Sequence, residues 1–284
     1  MDKKDICIVI PIYKEFLNDL EIQSIDQCIK ILSYYSIHFI CSKGLNVTFY
    51  KAKFPEINNY RFFDENYFKD LSGYNRLMLS ESFYKVFTKY SYMLVYQTDS
   101  YVFRDELLDW SIRGYDYIGG VWFENYNGNP YAGAKLWQAG NGGLSLRNIK
   151  KCHRLVTSKR PIKDWNILLQ ETKILKNVSR LQYLYSVLEL PFSWLGFKNN
   201  LHFMSQQFSG NEDTFFINEG LKLQWFKVPD VQEVTFFSWD KFPNYLWDTF
   251  KQLPFGCHAW YREDAPYENN WSFWKNIIHP DIQQ

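Results

Sequence analysis

Four short segments hold residues whose types and spacing could do chemistry: YQTDS (96–100), AGNGGLSLRN (139–148), GNEDTFF (210–216) and PFGCHAW (254–260). Asp99 follows an apolar run, YMLVY, that reads as a buried strand. A carboxylate just past such a strand lies at a sheet edge, where Mg²⁺ or Mn²⁺ can join it to a diphosphate. A cation there would neutralise the charge that grows on a departing diphosphate. The same position suits an Asp that opens a turn or caps the following helix. Gly140, Gly142 and Gly143 surround Asn141 and allow close backbone approach to a ligand, with Asn141 available to sugar hydroxyls. A glycine-rich bend between strands explains them equally well. Glu212 and Asp213 open an amphipathic helix, where negative charge is favourable in any case. One of the two carboxylates could take a proton from an attacking hydroxyl. His258 could ligate a metal or hold a phosphate, or simply pack with its ring hydrogen-bonded. The chain has no HExxH, GxSxG or Walker-type motif, and its glycines do not follow the GxGxxG pattern of a first βα unit.

These residues need a frame. ICIVIPIY (6–13) reads as a buried parallel strand, followed by an amphipathic helix over 20–35 and a second strand over 37–43. A third strand is expected over 46–52, with 61–70 as a connection. One long amphipathic helix is expected over 73–90, a strand over 92–99, a short helix over 105–114 and a strand over 115–122. Residues 125–135 read as a Gly/Asn/Pro loop, 137–148 as a strand, and a helix begins at Ile149. Helical stretches are expected around 165–175, 182–188 and 211–223, strands within 224–239, and a turn or short strand at 254–260. The β-α-β order implies a parallel sheet with helices against it. No repeat, heptad array or linker divides the chain, so a single domain is expected.

The 284 residues suffice for one large α/β domain. Lys+Arg is 32 and Asp+Glu is 31, a balance that argues against a nucleic-acid binder driven by basic charge. Aromatic residues make up 20%; a bulky core accounts for most of the Phe residues, while Trp or Tyr faces in loops can stack on sugars or bases. The five cysteines (Cys7, Cys28, Cys41, Cys152 and Cys257) show no CxxC spacing, which fits reduced thiols. The N-terminus lacks the pattern of a signal peptide, and no apolar run approaches the roughly 20 residues of a membrane span. A cytoplasmic protein is expected, with peripheral contact at the inner face of a membrane left open.

In their order the four segments resemble the GT-A class of nucleotide-sugar glycosyltransferases. More narrowly, they are similar to a bacterial family of proposed glycosyltransferases found among surface-polysaccharide genes. The stretches that carry the resemblance are IVIPIYKE, the run from Gly73 to Trp122, AGNGGLSLRN, NEDTFF and PFGCHAW; the run 73–122 is the specific part. The resemblance implies a GT-A-like (Rossmann-like) α/β fold, mixed but mainly parallel, with 1–122 binding nucleotide and 123–284 binding acceptor. It implies that YQTDS stands at the DxD-type motif, with Gln97 where the first Asp often stands, Asp99 as the retained acid and Thr98 between them. His258 would complete binding of Mn²⁺ or Mg²⁺. Pro11, Ile12 and Tyr13 would contact the base, Arg76 the diphosphate, and Asn141, Gly142 and Gly143 the sugar. Asp213 would be the base of an inverting displacement, with Glu212 as the alternative. The implied donor is a nucleotide sugar, UDP by family habit, and the acceptor a glycan or glycolipid. A sugar nucleotidyltransferase would need a basic glycine-rich loop after the first strand, which IPIYKEF does not supply. A non-catalytic carbohydrate-binding module would explain the aromatics without needing a parallel sheet.

Overall fold

All six residues of β1 (Ile6–Pro11) are buried, as a continuous apolar run requires of a strand covered on both faces. Successive side chains point to opposite sides. Ile6, Ile8 and Ile10 enter one apolar cluster, and Cys7 and Val9 enter the other. The computed structural model describes residues 1–126 and 128–279. In it β2 (Ser36–Ser42), β3 (Asn59–Phe63), β4 (Tyr92–Tyr96), β5 (Tyr101–Val102), β6 (Tyr117–Phe123) and β7 (Leu136–Asn148) follow β1. β8 (Ser238–Trp239) and β9 (Gly256–Cys257) come late in the chain.

The main sheet has the order β3-β2-β1-β4-β7-β6. β1 pairs parallel with β2 and β4, and β2 parallel with β3. β7 runs antiparallel to both of its neighbours, β4 and β6. The architecture is thus mixed α/β with a mainly parallel sheet flanked by helices, as the resemblance implies. From β1 the chain builds outward to β3, then returns to lay β4 on the other side of β1. That reversal opens a crevice beyond the carboxyl ends of β1 and β4, the place where open α/β sheets take ligands. A smaller sheet, β5-β9-β8, is joined through the pairs Tyr101↔Cys257 and Trp239↔Cys257.

The early helices are α1 (Asp19–Leu32), α2 (Thr48–Lys53), α3 (Leu71–Met78), α4 (Glu81–Val86) and α5 (Leu107–Ile112). After β7 come α6 (Ile149–Thr157), α7 (Trp165–Leu175), α8 (Arg180–Trp194), α9 (Leu201–Gln207) and α10 (Glu212–Gly220). α11 (Val231–Val234), α12 (Pro243–Phe250) and α13 (Asn270–Ile278) complete the set. Among the described residues no helix is long and apolar enough to cross a membrane. All five cysteines are buried and free.

Three elements differ from the sequence expectation. Residues 46–52 do not form a strand; α2 sits there because Tyr50 and Phe54, four apart, share one helical face against Phe39 of β2. The third strand is β3, inside and just before the stretch read as a connection. The long helix expected over 73–90 is two helices, because the Ser80 hydroxyl accepts the Phe83 N–H and caps a new start. The strands expected within 224–239 shrink to β8, since 231–234 makes a helical turn that puts Val234 and Phe237 into the core.

A fully buried arginine lies inside this core. Arg147, on β7, has no exposed surface. Its guanidinium meets Glu212 at 2.8 Å and Tyr84 Oη at 3.3 Å, beside the stacked rings of Tyr117 and Phe216 at 5.3 Å from each. Removing one partner strands a buried charge. Arg147→Met should therefore cost about 3–5 kcal/mol, read as a lower midpoint in urea unfolding followed by tryptophan fluorescence. Adding Glu212→Leu should recover most of the loss, and failure to recover would count against the pair as the cause.

Candidate functional site

β4 ends at Tyr96, and the backbone then continues the β4–β7 pairing for one more residue, with Gln97 N–H donating to Gly143 O at 2.9 Å. It turns at once: Ser100 N–H donates to Gln97 O at 2.9 Å, leaving Thr98 and Asp99 at the bend. β5 follows and pairs with β9, and His258 comes directly after β9. Trp260 N–H also donates to Asp99 O, at 3.1 Å. The turn after β4 and His258, far apart in sequence, are brought together this way. His258 Nε2 lies 3.1 Å from Asp99 Oδ1 and 3.1 Å from Gln97 Oε1.

The other ring nitrogen, Nδ1, lies 2.8 Å from Oδ1 of the buried Asp240, which follows β8. Burial by itself would lower the His258 pKa, but Asp99 and Asp240 on its two sides raise it to about 10. Burial would likewise raise that of Asp99; His258 and then Arg262 outweigh it and hold the carboxyl below its usual range. With no cation, Nε2 therefore carries a proton shared with its oxygen neighbours. Among the described residues no group of three His, Cys, Asp or Glu could hold a metal. The cluster instead offers one carboxylate oxygen, one amide oxygen and one imidazole nitrogen, with the imidazole oriented from behind by a carboxylate. That donor set fits a hard divalent cation whose remaining positions are filled by phosphate oxygens and water.

The glycines of β7 serve this packing. A Cβ on Gly143 would overlap the His258 ring, and one on Gly142 would press on the Glu212 carboxylate and Asp213 Cβ. Asn141 turns its Oδ1 to the Gly143 N–H at 2.9 Å. Asp213 accepts the Gly142 N–H on Oδ2 at 3.0 Å and the Thr214 N–H on Oδ1 at 2.7 Å. Burial, then the adjacent Glu212 charge, push the Asp213 pKa up to about 7 against those two hydrogen bonds. Glu212 is engaged elsewhere: its carboxylate holds Arg147, and its N–H donates to Asn75 Oδ1 at 3.2 Å.

In front of Gln97, Thr98 and Asp99 lies an open cleft of about 380 Å³, within the range of small-ligand pockets. Pro11 and Tyr13 line it from the end of β1, and Tyr67, Tyr74 and Tyr261 add aromatic wall. Of the residues singled out in the sequence, Pro11, Tyr13, Gln97, Thr98 and Asp99 line the cleft. Ile12 is buried in the core. Arg76 stands apart, donating to Ser72 Oγ at 3.0 Å and Asn66 O at 3.4 Å on the exposed side of α3. Sequence reasoning missed Asp240, Arg147, Tyr74 and Tyr261. Asp240 follows an aromatic run, TFFSW, whose spacing gives no hint of an ion-pair partner.

The family model described as "Protein of unknown function (DUF5672)" matches residues 58–258. The chain belongs to that family. The match takes in Gln97, Asp99, Asn141, Asp213, Asp240 and His258, but not Pro11, Tyr13, Glu21 and Tyr261 of the cleft wall. No curated protein matches the sequence. Among solved structures, apo mouse xyloside xylosyltransferase 1 is 12% identical, over 90% of this chain and 97% of that one, with a TM-score of 0.48. An active-site mutant of LgtC is 14% identical, over 96% and 95%, with a TM-score of 0.48. Apo GlyE from Streptococcus pneumoniae TIGR4 is 12% identical, over 95% and 59%, with a TM-score of 0.41. The fold of the DUF5672 chain is read from its own strand order and directions.

The Asp213 shift has a consequence for stability. With its pKa raised in the fold, the carboxyl holds its proton more tightly than in the unfolded chain. Its contribution is fully present below about pH 4, the unfolded value, and is lost as pH rises to about 7. Asp213→Asn should gain stability relative to the unaltered chain across that window, read from thermal melts at a series of pH values. A gain that does not change with pH would reject the assignment.

Proposed function

We propose that this chain is a glycosyltransferase that moves a sugar from a nucleoside diphosphate donor to a hydroxyl of a glycan or glycolipid acceptor. The convergence of Gln97 Oε1, Asp99 Oδ1 and His258 Nε2 at the switch point of the sheet carries the reading. On this reading residues 1–122 bind the nucleotide and 123–284 the acceptor. Pro11 and Tyr13 flank the base, with Tyr13 exposed and free to stack. UDP is the nucleotide the family resemblance favours.

Asp99, His258 and Gln97 would hold Mn²⁺ or Mg²⁺ together with the diphosphate. When bound, the cation supplies stabilisation of the negative charge on the leaving diphosphate. As a ligand His258 would present Nε2 unprotonated, that proton having gone to solvent, while Asp240 holds Nδ1 and so fixes the direction of the ring. Asp213 is the candidate general base. Its pKa near 7 leaves it able to accept a proton at neutral pH and to release it again. As the acceptor oxygen bonds to the anomeric carbon, the carbon–oxygen bond to the diphosphate breaks and the hydroxyl proton passes to Asp213. Such a displacement inverts the anomeric centre. Glu212, locked on Arg147, positions Asp213.

Two variants test these roles. Asp99→Ala should remove the part of UDP affinity that depends on Mn²⁺, by about tenfold or more, in calorimetric titrations with and without the metal. Equal enhancement in both proteins would refute the cation site. Asp213→Asn should leave UDP binding intact and cut turnover by roughly 10²-fold or more, the scale of a lost general base. A fall in donor affinity with turnover preserved would make Asp213 a binding residue, and NMR of the anomeric product would show inversion or its absence.

A further inference from the structure

Between α6 and α9, which pack on each other, the chain makes an excursion over residues 162–199. Its base is closed by the Pro161↔Asn200 bridge and by Asn199, whose side chain accepts Lys163 N–H at 3.0 Å and donates to Lys163 O at 2.9 Å. The excursion is the hairpin of α7 and α8, which pack chiefly on each other; Leu168 and Thr172 of α7 and Leu190 of α8 are buried.

The outer face of this hairpin is apolar. On α8 and its end, Leu181, Leu184, Tyr185, Leu188, Phe192 and Leu195 recur at intervals of three and four and are all exposed, Leu181 by 80% and Leu188 by 72%. That spacing is one face of a helix, the face a soluble helix normally turns inward. On α7 and the turn after it, Ile167, Ile174 and Val178 form a second exposed stripe. Lone exposed apolar residues are ordinary, whereas contiguous stripes mark an interaction surface.

Charge decides what covers it. Residues 158–200 contain seven Lys or Arg and three Asp or Glu, a net +4, while the whole chain is +1. The acids are engaged: Glu171 pairs with Lys163, Glu189 with Lys198, and Asp164 caps α7. Lys173, Lys176 and Arg180 cluster at the hairpin tip beside Ile174, Val178 and Leu181, exposed and without an ion pair among the described residues. Lys159 and Arg160 are exposed near the base. In a symmetric pairing with a second copy these cations would face their own kind. An anionic lipid surface neutralises them and accepts the apolar side chains below the headgroups.

We infer that the α7–α8 hairpin docks the protein onto an anionic bilayer surface, with the Leu181–Leu195 stripe seated among the acyl chains and Lys173, Lys176 and Arg180 on the headgroups. The docking goes beyond sugar transfer, and vesicle binding reads it without any measurement of turnover.

Flotation of the full chain with vesicles tests it. The chain should float with vesicles of phosphatidylcholine and phosphatidylglycerol, much less with phosphatidylcholine alone, and less again as salt is raised. Leu181→Asp with Leu188→Asp should weaken binding by on the order of tenfold per leucine. Lys173→Gln with Lys176→Gln and Arg180→Gln should weaken it by on the order of 100-fold, about fivefold per cation. All five positions are exposed, so melting followed by circular dichroism should be unchanged in both variants. Absence of flotation with the anionic vesicles, or equal flotation of all three proteins, overturns the inference. Light scattering that shows a dimer which the leucine changes dissociate, with no vesicle binding, overturns it in favour of a second copy.

Discussion

A buried ion pair sets the arrangement on which much of the rest depends. Moving an arginine and a glutamate out of water costs several kcal/mol per ion, so Arg147 and Glu212 are tolerated in the core only with matched geometry and polar company. The chain supplies that company from five elements: Asn75 on α3, Tyr84 on α4, Tyr117 on β6, Ser145 on β7 and Phe216 on α10. The pair thereby pins the first turn of α10 against β7. Asp213, the next residue, then has a fixed position with its oxygens on two backbone N–H groups. Gly142 is the counterpart on the strand, because any side chain there would push Glu212 and Asp213 away.

The second constraint is the joint between the two sheets. β5, β8 and β9 are two residues each, too short to be stable alone. They hold because they extend the turn after β4 and because Trp239, Trp260 and Trp274 are buried around them. This short joint brings Asp99 and Asp240, 141 positions apart, to opposite nitrogens of one imidazole. The ring has no freedom to rotate: Asp240 holds one edge, and the backbone of Gly143 lies under its face.

How much of this was legible depended on whether the signal was local. β1 and β4 are legible because buried strands announce themselves as unbroken apolar runs, and the order of segments implies their parallel arrangement; the antiparallel direction of the glycine-rich β7 carries no such local signal. The break at Ser80 was missed because the apolar spacing of 73–90 continues through it, while the cap that divides it is one hydroxyl. TFYKA, aromatic and β-branched, reads locally as a strand, whereas the helix of α2 sets Tyr50 and Phe54 against Phe39. At the site, Asp99, Asp213 and His258 stood out by residue type and neighbours. Asp240 and Arg147 did not, since their roles exist only through partners 18 and 65 residues away. The glycines of 140–143 were noticed, but the space they leave is filled by His258, Glu212 and the ring of Trp122.

The closed base of the α7–α8 hairpin has a consequence for how this molecule can change. Entry and exit lie side by side at Pro161 and Asn200, so whatever the chain carries between them is invisible to the register of the sheet. Lengthening, shortening or exchanging that segment leaves β7 and α10 where they are. The proposed transfer site and the proposed docking hairpin would then lie on separate stretches of sequence, free to diverge at different rates.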